Sequence, residues 1–259
     1  MIYKIDNKKI KIILKNEKIE LPSKLKEKIS ENFEKMKKFG ANIWNGEVIC
    51  VSEVNIEDDK VDIICRKSDY AHYLYGEKIG LPKQQECRNL SAGCLIETID
   101  GYYIIGELAE NTSYPTMLQV SGGNIDKKDI LNESINIEKT IKREVMEELN
   151  INLSDEKSIL YNGISYLYID DEKPSVQIFA KAKSIMTVDE MKEHFEKYYK
   201  YLKENNLEIE FKKLHFIKKC NACENLEKLD KPKRNYFRFL LQIDSKNKWS
   251  IVYRDENHD

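Results

Sequence analysis

The stretch "KREVMEELNIN", residues 142–152, places three glutamates and an arginine on a segment with helical periodicity. At 100° per residue, Glu144, Glu147 and Glu148 fall within an arc of roughly 100° on a helix. Val145 and its apolar neighbours occupy the adjoining face, so we expect the helix to pack on a sheet. Carboxylates crowded on one face repel one another, and hard divalent cations relieve that repulsion. The spacing therefore predicts a metal site for Mg²⁺, with Mn²⁺ as a substitute.

Composition limits the classes of protein to which this chain can belong. Its 259 residues are 41% hydrophobic and 34% charged, which is typical of a globular protein of one large or two small domains. The net charge of −2 gives no broad attraction to nucleic acid or to an anionic membrane. The sequence contains no apolar run of the roughly 20 residues that span a bilayer. We expect a soluble, cytoplasmic protein with no nucleic acid or membrane partner.

Six cysteines raise the question of disulfides or of a metal site. A cytoplasmic location keeps thiols reduced, so we expect no disulfide framework. Cys220 and Cys223 form a single "CNAC" with His215 upstream. A structural zinc site normally needs a second pair at similar spacing, and the sequence has none. We therefore interpret Cys220 and Cys223 as ordinary thiols.

The first part of the chain predicts a small α/β unit. Two short strands occupy the first twenty residues, and an amphipathic helix follows, with Gly40 at its C-cap position. Two further strands flank a polar turn at Asp58 and Asp59, and a short helix begins in "SDYAHYLYG". The polar segment "GLPKQQECRN" then marks a domain boundary near residue 88. We predict an N-terminal α/β extension over 1–88 and a second domain over 89–259.

The second domain begins with a hairpin around Asp100-Gly101, a strong turn signal. Another strand runs into Gly122 and Gly123, and the helix with the opening motif follows. Two strands, a helix, a strand and two helical segments complete the chain. This order predicts an α+β fold, because it lacks the regular βαβ alternation of a dinucleotide-binding sheet.

The segment "REVMEELNI", residues 143–151, resembles the second half of the Nudix box, G-x5-E-x7-R-E-U-x-E-E-x-G-U, in which U is a bulky aliphatic residue. The glycines at 122–123 resemble the turn that opens the box. The resemblance to the Nudix (MutT-like) superfamily covers about residues 90–242. It implies an α/β/α sandwich and Mg²⁺-dependent hydrolysis of a nucleoside diphosphate linked to another moiety.

The same resemblance implies roles for individual residues. Glu144 is expected to act as a metal ligand or base, and Glu147 and Glu148 as metal ligands, with Glu147 also counted among the catalytic residues. Gly123 is expected to turn its carbonyl toward the metal. Arg143 lies outside the carboxylate arc, and its planar guanidinium is suited to orient a neighbouring carboxylate bidentately.

The sequence departs from the box at two places. The pattern encloses 13 residues between glycine and arginine, whereas Gly123 and Arg143 enclose 19. Glu133 is the first candidate for the intermediate glutamate and Glu138 is the second. Asn150 replaces the glycine that ends the helix, and asparagine is the next most tolerant residue in a left-handed conformation.

"KSDYAHYLYG" resembles, more distantly, an element of the N-terminal extension in UDP-glucose pyrophosphatase-type Nudix hydrolases. This resemblance implies cleavage of a UDP-sugar to UMP and a sugar 1-phosphate. Tyr70 and Tyr73 would then contact the substrate, with Glu133 as a further candidate; the alternative for the tyrosines is burial between the domains. Glu190 and Glu193 are candidates for an additional base, although exposed helical glutamates are common.

Three functions remain open at this point. The first is a nucleotide-sugar pyrophosphohydrolase, and the second is a Nudix hydrolase of ADP-ribose or dinucleoside polyphosphates. The third is a non-catalytic Nudix-fold module that binds nucleotides. In each case the partner is a small nucleoside diphosphate derivative, and the protein is a monomer or a homodimer.

Overall fold

The computed structural model describes residues 1–38 and 43–245. Its helices are α1 (Ser23–Lys38), α2 (Tyr70–Ile79), α3 (Ile137–Leu149), α4 (Val188–Glu204), α5 (Ala222–Glu227) and α6 (Tyr236–Ser245). Its strands are β1 (Ile2–Lys4), β2 (Lys9–Lys18), β3 (Glu47–Ile56), β4 (Lys60–Asp69), β5 (Arg88–Glu97), β6 (Tyr102–Leu108), β7 (Leu118–Gln119), β8 (Ser121–Asn124), β9 (Ile130–Leu131), β10 (Ser134–Ile135), β11 (Ile159–Ile169), β12 (Ser175–Ser184) and β13 (Phe211–Lys218). The predicted Gly40 cap lies outside the described residues.

The strands form one mixed sheet in the order β1-β11-β12-β5-β3-β4-β2-β10-β9. Strands β12 and β5 run parallel, as do β2 and β4, and the other strand pairings are antiparallel. Strand β8 pairs with β5, and β6 links β5 to β7 and β13. Strand β5 is therefore the centre from which the sheet branches.

Helices cover both faces of this sheet. The side chains of β5 alternate, so that Cys94 and Ile96 face α3 and α4, whereas Leu95 faces the opposite core. Ile141 of α3 and Met191 of α4 fill the first core, while α5 and α6 fill the second. The structure is thus an α/β/α sandwich, and the predicted mixed fold class is confirmed.

The N-terminal strands extend the same sheet. Strand β3 pairs with β5 through Cys50 opposite Asn89, at the predicted boundary near residue 88. Ile12, Ile63 and Leu90 share one buried core, while α1 and α2 pack in a smaller one. The division into 1–88 and 89–259 remains a prediction about folding units, and these units share a sheet.

The cysteines differ from expectation. Cys50 and Cys87, both buried, are joined by a disulfide that ties β3 to the segment before β5. The expectation that every thiol is reduced is therefore wrong for this pair. Both sulfur atoms are brought together by the same strand pairing that joins the extension to β5. Cys220 and Cys223 are free.

Within the described residues, no helix is long and apolar enough to cross a membrane.

Candidate active site

Helix α3 carries the motif, and both of its ends are capped, the C-terminal one by Asn150 as the sequence predicts. The Asn136 side chain accepts a hydrogen bond from the Lys139 amide at the N-cap. Asn150 ends the helix in the left-handed conformation, with φ 53° and ψ 39°. Ile141 and Val145 are fully buried against the sheet. The helix therefore presents a fixed polar edge to β8.

The double glycine in β8 lets that polar edge approach the sheet. The Gly122 amide donates a hydrogen bond to Oε2 of Glu148 at 2.8 Å. A Cβ atom at Gly123 would lie 2.6 Å from Oε1 of Glu144, which is closer than a side chain tolerates. The backbone at Gly123 thus lies beside the Glu144 carboxylate, and the expected orientation of the Gly123 carbonyl toward a metal remains a prediction. A side chain at residue 123 would displace that carboxylate.

A compact carboxylate cluster lies beside this contact. Oxygen atoms of Glu144, Glu148 and Glu210 all lie within 4.8 Å of one another. Glu144 and Glu148 are buried and Glu210 is half-buried. Oε1 of Glu148 is buried without a hydrogen-bond donor in the part of the chain that the structure describes. Buried carboxylates that face one another need a cation or protons, and an all-oxygen donor set suits Mg²⁺ or Mn²⁺.

The raised pKa values of the clustered carboxylates also favour a cation site. Burial raises the pKa of Glu144 to about 7, with Arg143 opposing this shift and Glu210 reinforcing it. Burial also raises the pKa of Glu148 well above its usual range, and repulsion from Glu210 and Glu144 adds to the shift. The pKa of Glu210 is raised as well, first by burial. A bound divalent cation would stabilise the ionised form of all three carboxylates.

Glu147 does not belong to this cluster in the described structure. Its side chain is 48% exposed. It accepts hydrogen bonds from Arg143 Nη1 at 3.0 Å and from Lys128 Nζ at 3.4 Å. Of the four predicted metal residues, the structure brings together Glu144, Glu148 and Gly123, and it places Glu147 on the neighbouring surface of α3. Its assignment as a ligand remains a prediction.

Arg143 is held by a network of acceptors. Nη1 donates to Oε1 of Glu144 at 2.6 Å, and Nη2 donates to Oδ2 of Asp129 at 3.0 Å and to the Asn124 carbonyl at 3.1 Å. Thr140 also donates to Oδ2 of Asp129. The predicted orienting role of Arg143 is consistent with this geometry, because the guanidinium is fixed from both sides.

Asp129, rather than Glu133 or Glu138, is the acid that meets Arg143. It follows Gly123 with five intervening residues, the spacing of glycine and glutamate in the Nudix box. The additional residues, 130–135, form the β9–β10 hairpin, which is closed by the Asn136 amide donating to the Asp129 carbonyl at 2.9 Å. Glu133 lies on that hairpin, where its carbonyl accepts from the Leu14 amide.

The other predicted residues divide between a cavity and the surface. A cavity of about 810 Å³ borders Glu144 and Glu210, and Tyr70 and Tyr73 line it. Their rings stack with centroids 6.0 Å apart. Tyr73 is mostly buried, so the predicted packing role and the predicted substrate contact both have a structural basis at this pair.

Glu190 and Glu193 lie on the exposed surface of α4. Glu190 completes the capping box of α4 with Thr187, and Glu193 pairs with Lys197 at 2.7 Å. Neither borders the cavity. Both side chains therefore stabilise α4 in this structure.

Two residues of the candidate site, Asp129 and Glu210, were not predicted from the sequence. Asp129 stands at the distance after Gly123 that the box gives to its glutamate, so this spacing is the signal that could have found it. Glu210 lies just before β13 and belongs to no motif. The pairing of β13 with β6 brings it to the carboxylate cluster. No local signal in the sequence marks Glu210.

Comparison with known proteins gives matches to solved structures alone. No protein-family model and no curated protein matches the sequence. A MutT protein from Methanosarcina mazei Go1 is similar at 18% identity and a TM-score of 0.40, covering 62% of this chain and 95% of its own. An Ap4A hydrolase from C. elegans is similar at 16% identity and a TM-score of 0.39, covering 61% and 95%. A Nudix hydrolase from Nitrosomonas europaea is similar at 13% identity and a TM-score of 0.37, covering 61% and 87%.

Proposed function

We propose that this protein is a divalent-metal-dependent pyrophosphohydrolase of the Nudix type, which cleaves a nucleoside diphosphate linked to another moiety. The observation that carries the proposal is the cluster of Glu144, Glu148 and Glu210 beside the double glycine, at the edge of an 810 Å³ cavity. The motif, its helix caps and the Asp129–Arg143 pair support the same conclusion.

The three clustered glutamates would hold Mg²⁺ or Mn²⁺, and such an ion would neutralise charge on the phosphates and lower the pKa of a bound water. Arg143 orients Glu144 through the 2.6 Å hydrogen bond. Glu144 or Glu210 accepts the proton of the attacking water, because both carboxylates border the cavity. The Gly122 amide fixes Glu148 from behind.

The favoured substrate class is a nucleotide sugar, such as a UDP-sugar cleaved to UMP and a sugar 1-phosphate. The cavity is lined by the carboxylates of Glu144 and Glu210 and also by Tyr70 and Tyr73 of the extension. Such a surface suits a substrate with a phosphate core and a polyhydroxylated or aromatic remainder. ADP-ribose and dinucleoside polyphosphates are the second candidates, since the same two features accommodate them.

The first test is hydrolysis. Purified protein with Mg²⁺ or Mn²⁺ is assayed for cleavage of nucleotide sugars, ADP-ribose and dinucleoside polyphosphates. We expect turnover of at least one class, abolished by EDTA and reduced by at least about a hundredfold in Glu148→Gln. Metal-dependent binding without turnover of any class would instead indicate the non-catalytic module.

The second test locates the metal. We expect Mg²⁺ or Mn²⁺ to raise the melting temperature of the wild type, because an ion bound to the folded state stabilises it. Glu148→Gln should lose this response. Glu147→Gln is the matched control on the same helix, and it should keep most of the response because its carboxylate pairs with Arg143 and Lys128. Equal losses in both variants would place the ion nearer Glu147.

A further inference from the structure

The cavity holds an arginine whose charge the described protein does not balance. Arg234 borders the cavity that also contains Glu144 and Glu210. Its Nε donates to Oε1 of Gln119 at 3.3 Å. Over residues 1–38 and 43–245, Arg234 makes no ion pair with a carboxylate, and its two terminal nitrogens donate no hydrogen bond. A half-buried guanidinium with free donors is suited to bind an oxyanion.

The other cations that border the cavity differ from Arg234. Arg143 is already engaged by Asp129, Glu144, Glu147 and the Asn124 carbonyl. Lys127 is exposed to solvent. Arg234 is thus the partly buried cation in this cavity whose terminal donors are open to a ligand.

The position of Arg234 is fixed before any ligand arrives. Its guanidinium carbon lies 4.2 Å from the centre of the Tyr114 ring. Tyr114 is anchored in turn, because its hydroxyl donates to Oε2 of Glu77 at 2.5 Å. The Arg234 amide also donates to the Leu118 carbonyl at 3.2 Å. Holding the guanidinium in one orientation reduces the entropy lost on binding.

We propose that Arg234 recognises a second oxyanion of the substrate, separate from the phosphates at the glutamate cluster. The inference rests on the proposed function for the identity of the rest of the substrate. It adds that the moiety linked to the nucleoside diphosphate carries a carboxylate or a further phosphate. Tyr70 and Ser113, joined by a 3.0 Å hydrogen bond, line the cavity with Arg234 and complete the polar wall for that moiety.

The test measures binding by calorimetry in EDTA, where metal-dependent turnover is absent. One pair of nucleotides is UDP-glucose and UDP-glucuronate, which differ by a carboxylate on the sugar. A second pair is diadenosine diphosphate and diadenosine tetraphosphate, which differ in phosphate number. In at least one pair we expect the wild type to bind the more anionic member about tenfold tighter or more, as a charged hydrogen bond provides.

Arg234→Met should reduce that ratio to about one, and Arg234→Lys should restore part of it, because lysine keeps the charge but not the planar fork. Arg238→Met is the matched control, since Arg238 is exposed on α6 and should leave the ratio unchanged. A preference in the first pair assigns a carboxylate, and one in the second assigns a phosphate.

Equal binding within both pairs, no measurable binding of any of the four, or a preference that survives Arg234→Met would overturn the inference. These outcomes are independent of catalysis. A protein that shows the Arg234-dependent preference and yet hydrolyses nothing with Mg²⁺ or Mn²⁺ would retain the oxyanion site and lose the proposed function.

Discussion

Asp129 and Arg143, fourteen residues apart in the chain, meet through a 3.0 Å hydrogen bond between Oδ2 and Nη2. The Asp129 side chain is completely buried and that of Arg143 is 14% exposed. Burial opposes ionisation of Asp129, but the hydrogen bonds from Arg143, the Asp126 amide and Thr140, together with the charge of Arg143, outweigh burial and lower the pKa of the carboxyl. The pair joins the loop after β8 to the polar face of α3.

This pair gives the first prediction. Asp129→Asn keeps the shape but leaves Arg143 with less compensating charge, so we expect a loss of about 3 kcal/mol in the free energy of unfolding, typical of a broken buried pair. Hydrolysis should also fall, because Arg143 no longer orients Glu144 as firmly. Urea unfolding and a steady-state assay measure the two effects. Glu133→Gln is the control on the exposed hairpin, and an equally large effect there would contradict the assignment.

The second prediction concerns Glu210. Repulsion from Glu144 and Glu148 destabilises its carboxylate when no cation is bound, so Glu210→Gln should be at least as stable as the wild type in EDTA. With Mg²⁺ the order should reverse, because the variant loses a ligand. Melting temperatures of both proteins, measured with and without Mg²⁺, show whether the order of their stabilities reverses. Glu193→Gln, exposed on α4, should follow the wild type under both conditions; a metal response that persists in Glu210→Gln would remove this residue from the site.

Local periodicity explains why most elements could be predicted from the sequence. The motif helix, its Asn150 cap and the hairpin at Asp100-Gly101 each depend on residues adjacent in the chain, and each was confirmed. Glu210 reaches the cluster through a strand pairing between distant segments, which no local pattern encodes. Asp129 was not predicted because only glutamates were considered for the intermediate acidic position of the motif.

The disulfide was not predicted from the sequence, for a different reason. Cys50 and Cys87 are 37 residues apart, and a location assumed from composition led to the expectation of free thiols. Their proximity follows from the pairing of β3 with β5, which depends on the tertiary fold. No local pattern in the sequence marks Arg234 either, because its contact with the Tyr114 ring and its position in the cavity depend on the tertiary fold.

Asn150 gives the third prediction. Its positive φ costs an ordinary side chain about 1 kcal/mol, so Asn150→Ala should lower the free energy of unfolding by roughly that amount. Asn150→Gly should be neutral or slightly stabilising, because glycine adopts this conformation freely. Chemical denaturation compares the three proteins. If alanine were tolerated as well as glycine, the backbone at residue 150 would not be left-handed in solution.

The fourth prediction is a pH dependence of stability that arises at Glu107. Burial disfavours its charge, but hydrogen bonds from His215, Lys231 and Lys212 outweigh burial and lower the pKa of Glu107 to about 2. A depressed folded-state pKa stabilises the protein above the unfolded value near 4.5, and the stabilisation is lost as pH falls toward 2. The expected contribution is about 2 to 3 kcal/mol at neutral pH.

Glu107→Gln should remove this part of the acid sensitivity, so its unfolding free energy should fall less than that of the wild type between pH 5 and pH 3. Glu110→Gln is the control, because Glu110 is exposed and shares the Lys212 partner. Parallel pH profiles for wild type and Glu107→Gln would argue against the buried network.

The fifth prediction concerns the disulfide. Thiol titration of the unreduced, denatured protein should give four thiols per chain, rising to six after reduction. The link closes a loop of 37 residues, so dithiothreitol should lower stability by up to about 4 kcal/mol. The Cys50→Ala, Cys87→Ala double variant should not respond to dithiothreitol. Six thiols without reductant would show that the two sulfurs are not bonded.

The β9–β10 hairpin leaves the chain at Asp129 and returns to Asn136, so that its two ends lie side by side. Residues 130–135 are the six that exceed the usual distance between glycine and arginine in the motif. The contact between Asp129 and Arg143 is thus kept although six residues are inserted between them, because the hairpin returns the chain to the point where it left. A search that demands fixed intervals along the chain will therefore pass over residue pairs that such an insertion separates in sequence and leaves in contact in the fold.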